Sequence, residues 1–292
     1  MKTAYFWLTP QGKQLAEQLQ AHFGGTVEPK ADFAEAVRRA FADCDALVFV
    51  MATGIVVRTI APLVQSKASD PAVLVLDQRG KHVISLLSGH LGGANAMAEQ
   101  AAAYLGGEAV ITTATDVEHV PAFDLFAKEN HLTIENLEEL KYISGALVAG
   151  EPVSLCTAFP VEKNAFPETV QIQPFSETPR HACAVAIADT TESVAAPHVL
   201  YLRPKSLVLG VGCKKQIPPA HLEQCFRTFL QEHHLSLSAV EKLATIGLKR
   251  EEPAILALCE KYHLPLEIVA DADIQALSLI HISEPTRRRG IS

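Results

Sequence analysis

The chain has 292 residues, enough for roughly two domains with separate cores. Hydrophobic residues make up 48% and charged residues 20%, the balance of an ordinary soluble globular protein, and the net charge of −8 gives no electrostatic support to a nucleic-acid or membrane-surface role. No apolar run reaches the roughly 18 residues that span a bilayer, and the opening MKTAYFWLTPQGKQ turns polar too early for a cleavable leader, which points to the cytoplasm.

In chain order, Ala4–Leu8 reads as a strand, Thr9-Pro10-Gln11-Gly12 as a turn, and Gln14–His22 as a helix with Leu15, Leu19 and Phe23 at helical spacing. A second helix covers Phe33–Phe41. Ala46–Met51 and Ala72–Asp77 are continuous apolar runs, the pattern of strands buried on both faces, with Ala52–Val64 turning into a short helix between them. Gln78-Arg79-Gly80-Lys81 joins Ala72–Asp77 directly to the run His82–Leu87, which predicts an antiparallel hairpin.

His82–Leu87 then enters Ser88-Gly89-His90-Leu91-Gly92-Gly93-Ala94-Asn95 and an alanine-rich helix. Glycines let the backbone approach a ligand, and the first N–H groups of a helix lack intrahelical partners, so this bend would attract a carboxylate or phosphate. The competing reading is a tight strand-to-helix turn whose Gly92 and Gly93 serve only close packing. Ala109–Thr113 follows as a strand ending in Ala114-Thr115-Asp116. Alternating strands and helices predict a three-layer α/β/α domain over 1–120 with a mostly parallel sheet. Ligands in such sheets bind at the carboxyl ends of the strands. That rule would gather Ala52–Gly54, Ser88–Asn95 and Thr113–Asp116 on one edge, offering Thr53, Arg58, Ser88, His90, Asn95, Thr115 and Asp116.

Residues 121–204 change texture. Helices over Phe123–Asn130 and Leu137–Val148 give way to short strands at Val153–Thr157, Val170–Phe175, Cys183–Ala188 and Val199–Leu202, separated by prolines. A small β-rich middle domain fits. From 205 to 276 a second α/β domain is built: strand Ser206–Gly210, a turn through Gly212-Cys213-Lys214-Lys215, a helix opened by Pro218-Pro219, strand Leu243–Leu248, helix Ala254–Tyr262 and strand Pro265–Val269. The lysine pair at that turn would favour an anion, although solvated lysines are the commoner explanation. Six cysteines include no Cys-x-x-Cys pair and read as small apolar residues; His221 and Cys225 share a helix face but no second ligand pair accompanies them, so no metal site is expected. The closing LSLIHISEPTRRRGIS breaks the pattern and resembles translated sequencing-adapter read-through, so 277–292 is expected to be non-native and the C-terminal domain incomplete.

Several stretches together resemble one family. Gly54-Ile55-Val56-Val57-Arg58, Ile60-Ala61-Pro62-Leu63, Lys67, Asp70-Pro71-Ala72-Val73, Ile84 through Asn95 and Ile111 through Asp116 are similar to the N-terminal domain of CbiG. Phe123-Asp124-Leu125-Phe126-Ala127-Lys128-Glu129-Asn130 is similar to the start of its middle domain, and Leu209 through Lys215 with Ala244 through Lys249 and Glu252-Pro253 to its C-terminal domain. The resemblance implies a cobalt-precorrin-5A hydrolase of anaerobic cobalamin biosynthesis, which opens a δ-lactone with water and releases acetaldehyde. It also implies site roles. His90 is the first choice for acid/base work, because an imidazole titrates near neutrality, with Asp116 orienting it or binding substrate. Backbone N–H groups around Gly92, Gly93 and Asn95 would hold an oxyanion or a peripheral carboxylate, with Gly54, Ser88, Gly89 and Thr115 completing the contacts. Arg58, Lys67 and Lys214 would pair with acetate and propionate arms of the tetrapyrrole. Cobalt would arrive inside the substrate, so no cofactor is implied. Expected partners are that small molecule, with a homodimer or contact with other pathway enzymes in view, and neither nucleic acid nor membrane. Two rivals stand beside this reading: a non-catalytic tetrapyrrole carrier, and a dinucleotide-dependent oxidoreductase, although Gly-x-x-Gly-Gly is not the Gly-x-Gly-x-x-Gly of a dinucleotide loop.

Overall fold

A computed structural model of the chain describes residues 1–66, 69–162 and 165–270. Lys67 and the expected tail at 277–292 lie outside the described residues. Two compact units divide the chain, Met1–Phe126 and the remainder from Ala127 onward.

The first unit is organised by a strand with no solvent face. In Ala46–Val50, Ala46, Val48 and Val50 enter one core while Leu47 and Phe49 enter another. Continuous apolar sequence is what such a strand requires, because both of its faces must leave water. The strands are β1 (Thr3–Trp7), β2 (Thr26–Val27), β3 (Ala46–Val50), β4 (Ala72–Leu76), β5 (His82–Leu87) and β6 (Glu108–Val110), in the order β2-β1-β3-β4-β5-β6. Helices α1 (Pro10–Phe23) and α4 (Ala94–Leu105) supply Leu15, Ala16, Leu19, Ala98 and Ala101 to one face. Helices α2 (Phe33–Asp43) and α3 (Thr53–Ile60) supply Ala36, Val37, Ala40, Val56 and Ile60 to the other. Three layers result, as the alternating pattern predicted.

Two departures have identifiable causes. The helix expected from Gln14 begins four residues earlier at Pro10, because the Thr9 hydroxyl accepts the Gly12 N–H at 3.0 Å and proline fits the first helical position. Pro10-Gln11-Gly12 is therefore a capped first turn. The second departure concerns direction. The β4–β5 hairpin is antiparallel, as expected, but β5 then pairs in parallel with β6, so both run against β1 to β4. Leu87 at the end of β5 stands opposite Val73 at the beginning of β4. The carboxyl ends of β5 and β6 consequently lie on the edge opposite the carboxyl end of β3. The expectation that all three loops share one edge is corrected: Ser88–Asn95 and Thr113–Asp116 stay together, and Ala52–Gly54 with Arg58 belongs to the other side.

In the second unit all four strands read from the middle segment are present. They are joined by β7 (Leu132–Ile134), which its three residues left unread. With β8 (Val153–Thr157), β9 (Val170–Pro174), β10 (Cys183–Ile187) and β11 (His198–Pro204), the order is β7-β11-β10-β8-β9, and only β7 is antiparallel. Helix α7 (Leu140–Val148) buries Leu140, Ile143 and Leu147. The chain continues into a parallel sheet β12-β13-β14 (Leu207–Gly210, Val240–Ile246, Leu266–Val269), against which α8 (Pro219–Glu232) and α9 (Pro253–Tyr262) pack Leu222, Phe226, Leu230, Ile255 and Leu258. An ion pair fastens this unit internally: the buried Arg203 reaches the more exposed Glu135 at 2.7 Å, and Glu135 accepts the Ser236 hydroxyl at 2.7 Å.

Candidate active site

The glycine bend leaves β5 through Ser88, whose φ of 57° is left-handed without a glycine to ease it. Its hydroxyl donates to the Asp70 carbonyl at 2.9 Å, which ties the bend to the segment entering β4. Glycine is needed at two positions for space. A Cβ on Gly92 would stand 2.5 Å from the Ser88 Cβ, and one on Gly89 would stand 2.6 Å from the Asn95 Oδ1. The close approach at Gly89 frees the amide of Asn95, which is buried, to organise what lies above it.

That amide is a hub. Asn95 Oδ1 accepts the Ser85 hydroxyl at 2.6 Å, and Nδ2 donates to Thr113 Oγ1 at 3.1 Å and to Asp116 Oδ2 at 3.0 Å. Asp116 sits in the short helix α5 (Ala114–Val117), which follows Thr113. Its Oδ2 also meets His90 Nε2 at 2.7 Å. On the other side of the ring, His90 Nδ1 lies 3.2 Å from Oδ1 of Asp124, in the first turn of α6 (Phe123–Glu129). Thr115, buried, brings its hydroxyl to 3.5 Å from Nε2. A cavity of about 210 Å³ adjoins the ring, lined by Ser88, Gly89, His90, Leu91, Thr113 and Asp124.

The protonation state follows from the geometry. A neutral imidazole carries one N–H, so with a carboxylate oxygen against each nitrogen one contact would set lone pair against lone pair. Both contacts are satisfied only by the imidazolium. Hydrogen bonding to Asp124 is the largest influence; it and Asp116 overcome the burial that disfavours charge, and the ring pKa is pushed up to about 9. His90 is thus a held cation at neutral pH rather than a ready base.

Stability carries the sign of that shift. The folded value stands above the unfolded value of about 6.5, so the ring's contribution is complete below that pH and is lost as pH rises through about 9. Its ceiling is on the order of 3 kcal/mol. Urea unfolding of the chain and of His90→Gln, compared from roughly pH 6 to pH 10, checks this: the gap between them narrows as pH rises from about 6.5 to about 9 and changes little above that, whereas a constant gap contradicts it.

The remaining candidates divide clearly. His90, Asp116, Ser88, Gly89, Gly92, Gly93, Asn95 and Thr115 come together at the bend. Gly54 and Arg58 do not: the Arg58 guanidinium folds back to within 3.5 Å of where a Gly54 Cβ would stand, at the opposite edge of the sheet. Lys214 is exposed in the second unit, after β12, and Lys67 is undescribed. The backbone donors are also corrected. The N–H groups of Gly93, Ala94 and Asn95 donate to the carbonyls of His90, Ser88 and Gly89 at 3.0 to 3.2 Å, so the bend itself occupies two of the three donors expected to hold an oxyanion, those of Gly93 and Asn95. Sequence reasoning missed Ser85, Thr113 and Asp124. The signals for Asp124 were an acidic residue opening a helix and its place in the stretch Phe123–Asn130 that resembles the family, since no spacing rule joins it to a histidine 34 positions earlier. On α8 the Cys225 sulfur and His221 Nε2 stand 3.8 Å apart, and no metal-holding group of three or more His, Cys, Asp or Glu occurs among the described residues.

Residues 35–116 match the family described as Cobalamin synthesis G N-terminal, 121–204 the Cobalamin biosynthesis central region, and 207–289 the Cobalamin synthesis G C-terminus. A cobalt-precorrin-5A hydrolase from Salmonella typhimurium is 34% identical over 284 residues, covering 90% of this chain and 80% of that protein. The chain belongs to the CbiG family. Another relative, the cobalt-precorrin-5A hydrolase of Priestia megaterium, is 33% identical over 247 residues, 80% of this chain and 66% of its own. A third, from Methanocaldococcus jannaschii and named a probable cobalt-precorrin-5A hydrolase, is 26% identical and covers 93% of this chain and 79% of its own. In this CbiG chain the N-terminal match contains the glycine bend and ends on Asp116, and the central match begins three residues before Asp124, so the His90 cluster draws on both stretches. No described helix of this CbiG chain is long and apolar enough to cross a membrane.

Proposed function

We propose that this chain hydrolyses the δ-lactone of cobalt-precorrin-5A and releases acetaldehyde to give cobalt-precorrin-5B in anaerobic cobalamin biosynthesis. Support comes from the hydrolase names of its relatives and from one geometric observation: a cationic imidazole held between two carboxylates beside a small cavity. About 210 Å³ is room for the lactone-bearing arm and not for the macrocycle, which stays outside. Water adds to the acyl carbon and the acyl–oxygen bond breaks. The lactone oxygen takes up a proton to become a hydroxyl. Loss of that hydroxyl proton with carbon–carbon cleavage expels acetaldehyde, and a proton returns to the ring carbon.

His90 supplies the proton that the departing oxygen needs, and its charge offsets the oxyanion that the occupied backbone donors cannot serve. Asp116, with 37% of its side chain exposed, is the carboxylate placed to accept a proton from water. Cobalt travels in the substrate, and the chain needs no cofactor of its own. Incubation of the chain with cobalt-precorrin-5A, assayed for acetaldehyde, is the test. One acetaldehyde per substrate consumed is expected; tight binding without acetaldehyde favours the carrier, and a failure to bind or react removes both readings.

A further inference from the structure

The two carboxylates on His90 are not equivalent. Asp116 has 37% of its side chain exposed and shares its Oδ2 between His90 and Asn95. Asp124 is only 10% exposed, and its backbone neighbour Leu125 donates to Oδ1 at 3.0 Å, fixing the carboxylate at the start of α6. The ring between them is 12% exposed. The ring thus stands between Asp124, anchored to backbone and lining the cavity with it, and Asp116, more exposed to water and outside the cavity lining. Among the described residues, Asp116 on α5 and Asp124 on α6 are the titratable groups that face the ring; the bend contributes Ser88 and Leu91, and α4 contributes Asn95, none of them charged.

We propose that Asp124 is a positioning residue: it fixes the orientation of the His90 ring and keeps both ring nitrogens protonated, which leaves the Nε2–H, beside the more exposed Asp116, as the proton the ring can give. This rests on the hydrolase reading for its chemistry, but not for its geometry. With Asp124 in place, Nδ1–H points to Asp124 and Nε2–H to Asp116. Without it, Nδ1 has no carboxylate to hold its proton, and the ring falls back toward the ordinary histidine range, neutral at physiological pH. A neutral ring is free to turn and offers no proton of matched acidity.

The full chain is titrated by histidine-selective NMR, unaltered and as Asp124→Asn, Asp116→Asn and Asp124→Glu, and the pH profile of acetaldehyde release is recorded for each. In the unaltered chain the His90 midpoint is expected at about 9. Asp124→Asn is expected to move it downward toward 7, further than Asp116→Asn moves it. The alkaline limb of kcat moves down by the same amount while KM changes less than about threefold, the split expected when a transition-state interaction is lost with binding kept. Asp124→Glu keeps the charge and is expected to hold the midpoint above about 8; should the asparagine variant fail to fold, this chain carries the test, and a midpoint near the ordinary histidine value overturns the proposal. An Asp124→Asn chain whose His90 midpoint is unmoved overturns it too, as does a kcat lowered equally at every pH. If the unaltered chain releases no acetaldehyde, the hydrolase reading fails, while the NMR midpoints still decide the role of Asp124.

Discussion

His90→Ala is expected to lower acetaldehyde release by about 10²- to 10⁴-fold, the range for loss of a positioned general acid. The loss falls on kcat, because the ring acts on charge that develops only as the lactone opens. Deletion also leaves Asp116 and Asp124 facing each other across the vacated space, two carboxylates that had shared one cation. His90→Gln keeps a hydrogen bond from its amide NH2 to one of the two carboxylates without a transferable proton, and its rate is expected to match that of the alanine chain within about tenfold. Steady-state kinetics on both chains separates the effects. A glutamine variant with near-normal kcat would show that the ring only spaces the carboxylates.

The largest stability effect is expected in the second unit. The Arg203 side chain is 3% exposed, donates from Nε to Glu135 at 2.8 Å and from Nη1 to the Ala188 carbonyl at 3.1 Å, and lies over Tyr201 at 4.7 Å. Burial alone would push the Glu135 carboxyl up, but hydrogen bonds from Arg203 and Ser236 hold it below the usual glutamate range. Arg203→Ala removes a buried cation with its charge-assisted hydrogen bonds and packing, while the Glu135 carboxylate, 33% exposed, keeps contact with water; the loss is expected to be about 2–4 kcal/mol. The cost has a pH signature. Glu135 in the variant takes up a proton readily, so the deficit shrinks as pH falls through the carboxylate range and is largest near neutrality. Urea denaturation at neutral and mildly acidic pH measures both. A deficit below about 1 kcal/mol, or one that grows on acidification, contradicts this account of the pair.

How far the sequence carried can be judged from particular elements. Strands β3 and β4 were legible because a strand covered on both faces has no polar positions to blur it, and the hairpin to β5 was legible from its four-residue turn. Thr9 was harder to read: a threonine before a proline signals a turn and a helix cap equally well, and only the Gly12 N–H decided it. The edge to which each loop belongs was misjudged for a physical reason. Once β5 turns back on β4, the carboxyl-end rule sends the bend and the Ala52–Gly54 loop to opposite edges. His90 and Asp116 were visible as the titratable members of their loops. Asn95 and Gly89 entered as polar and flexible neighbours, and the space at Gly89 that admits the Asn95 amide needs coordinates to see. Asp124 lies beyond any local pattern, because its partner is chosen by how α6 returns to the bend. The charge state of His90 followed from that missed residue: with one carboxylate it would have read as a base near neutrality, and with two it is an acid.

The pH dependence of kcat for acetaldehyde release from cobalt-precorrin-5A tests the central claim most directly. A proton-donating His90 predicts activity sustained through neutrality that falls at alkaline pH with a midpoint near 9. Activity that instead rises between roughly pH 6 and 7, as an imidazole sheds its proton to become a base, would contradict it.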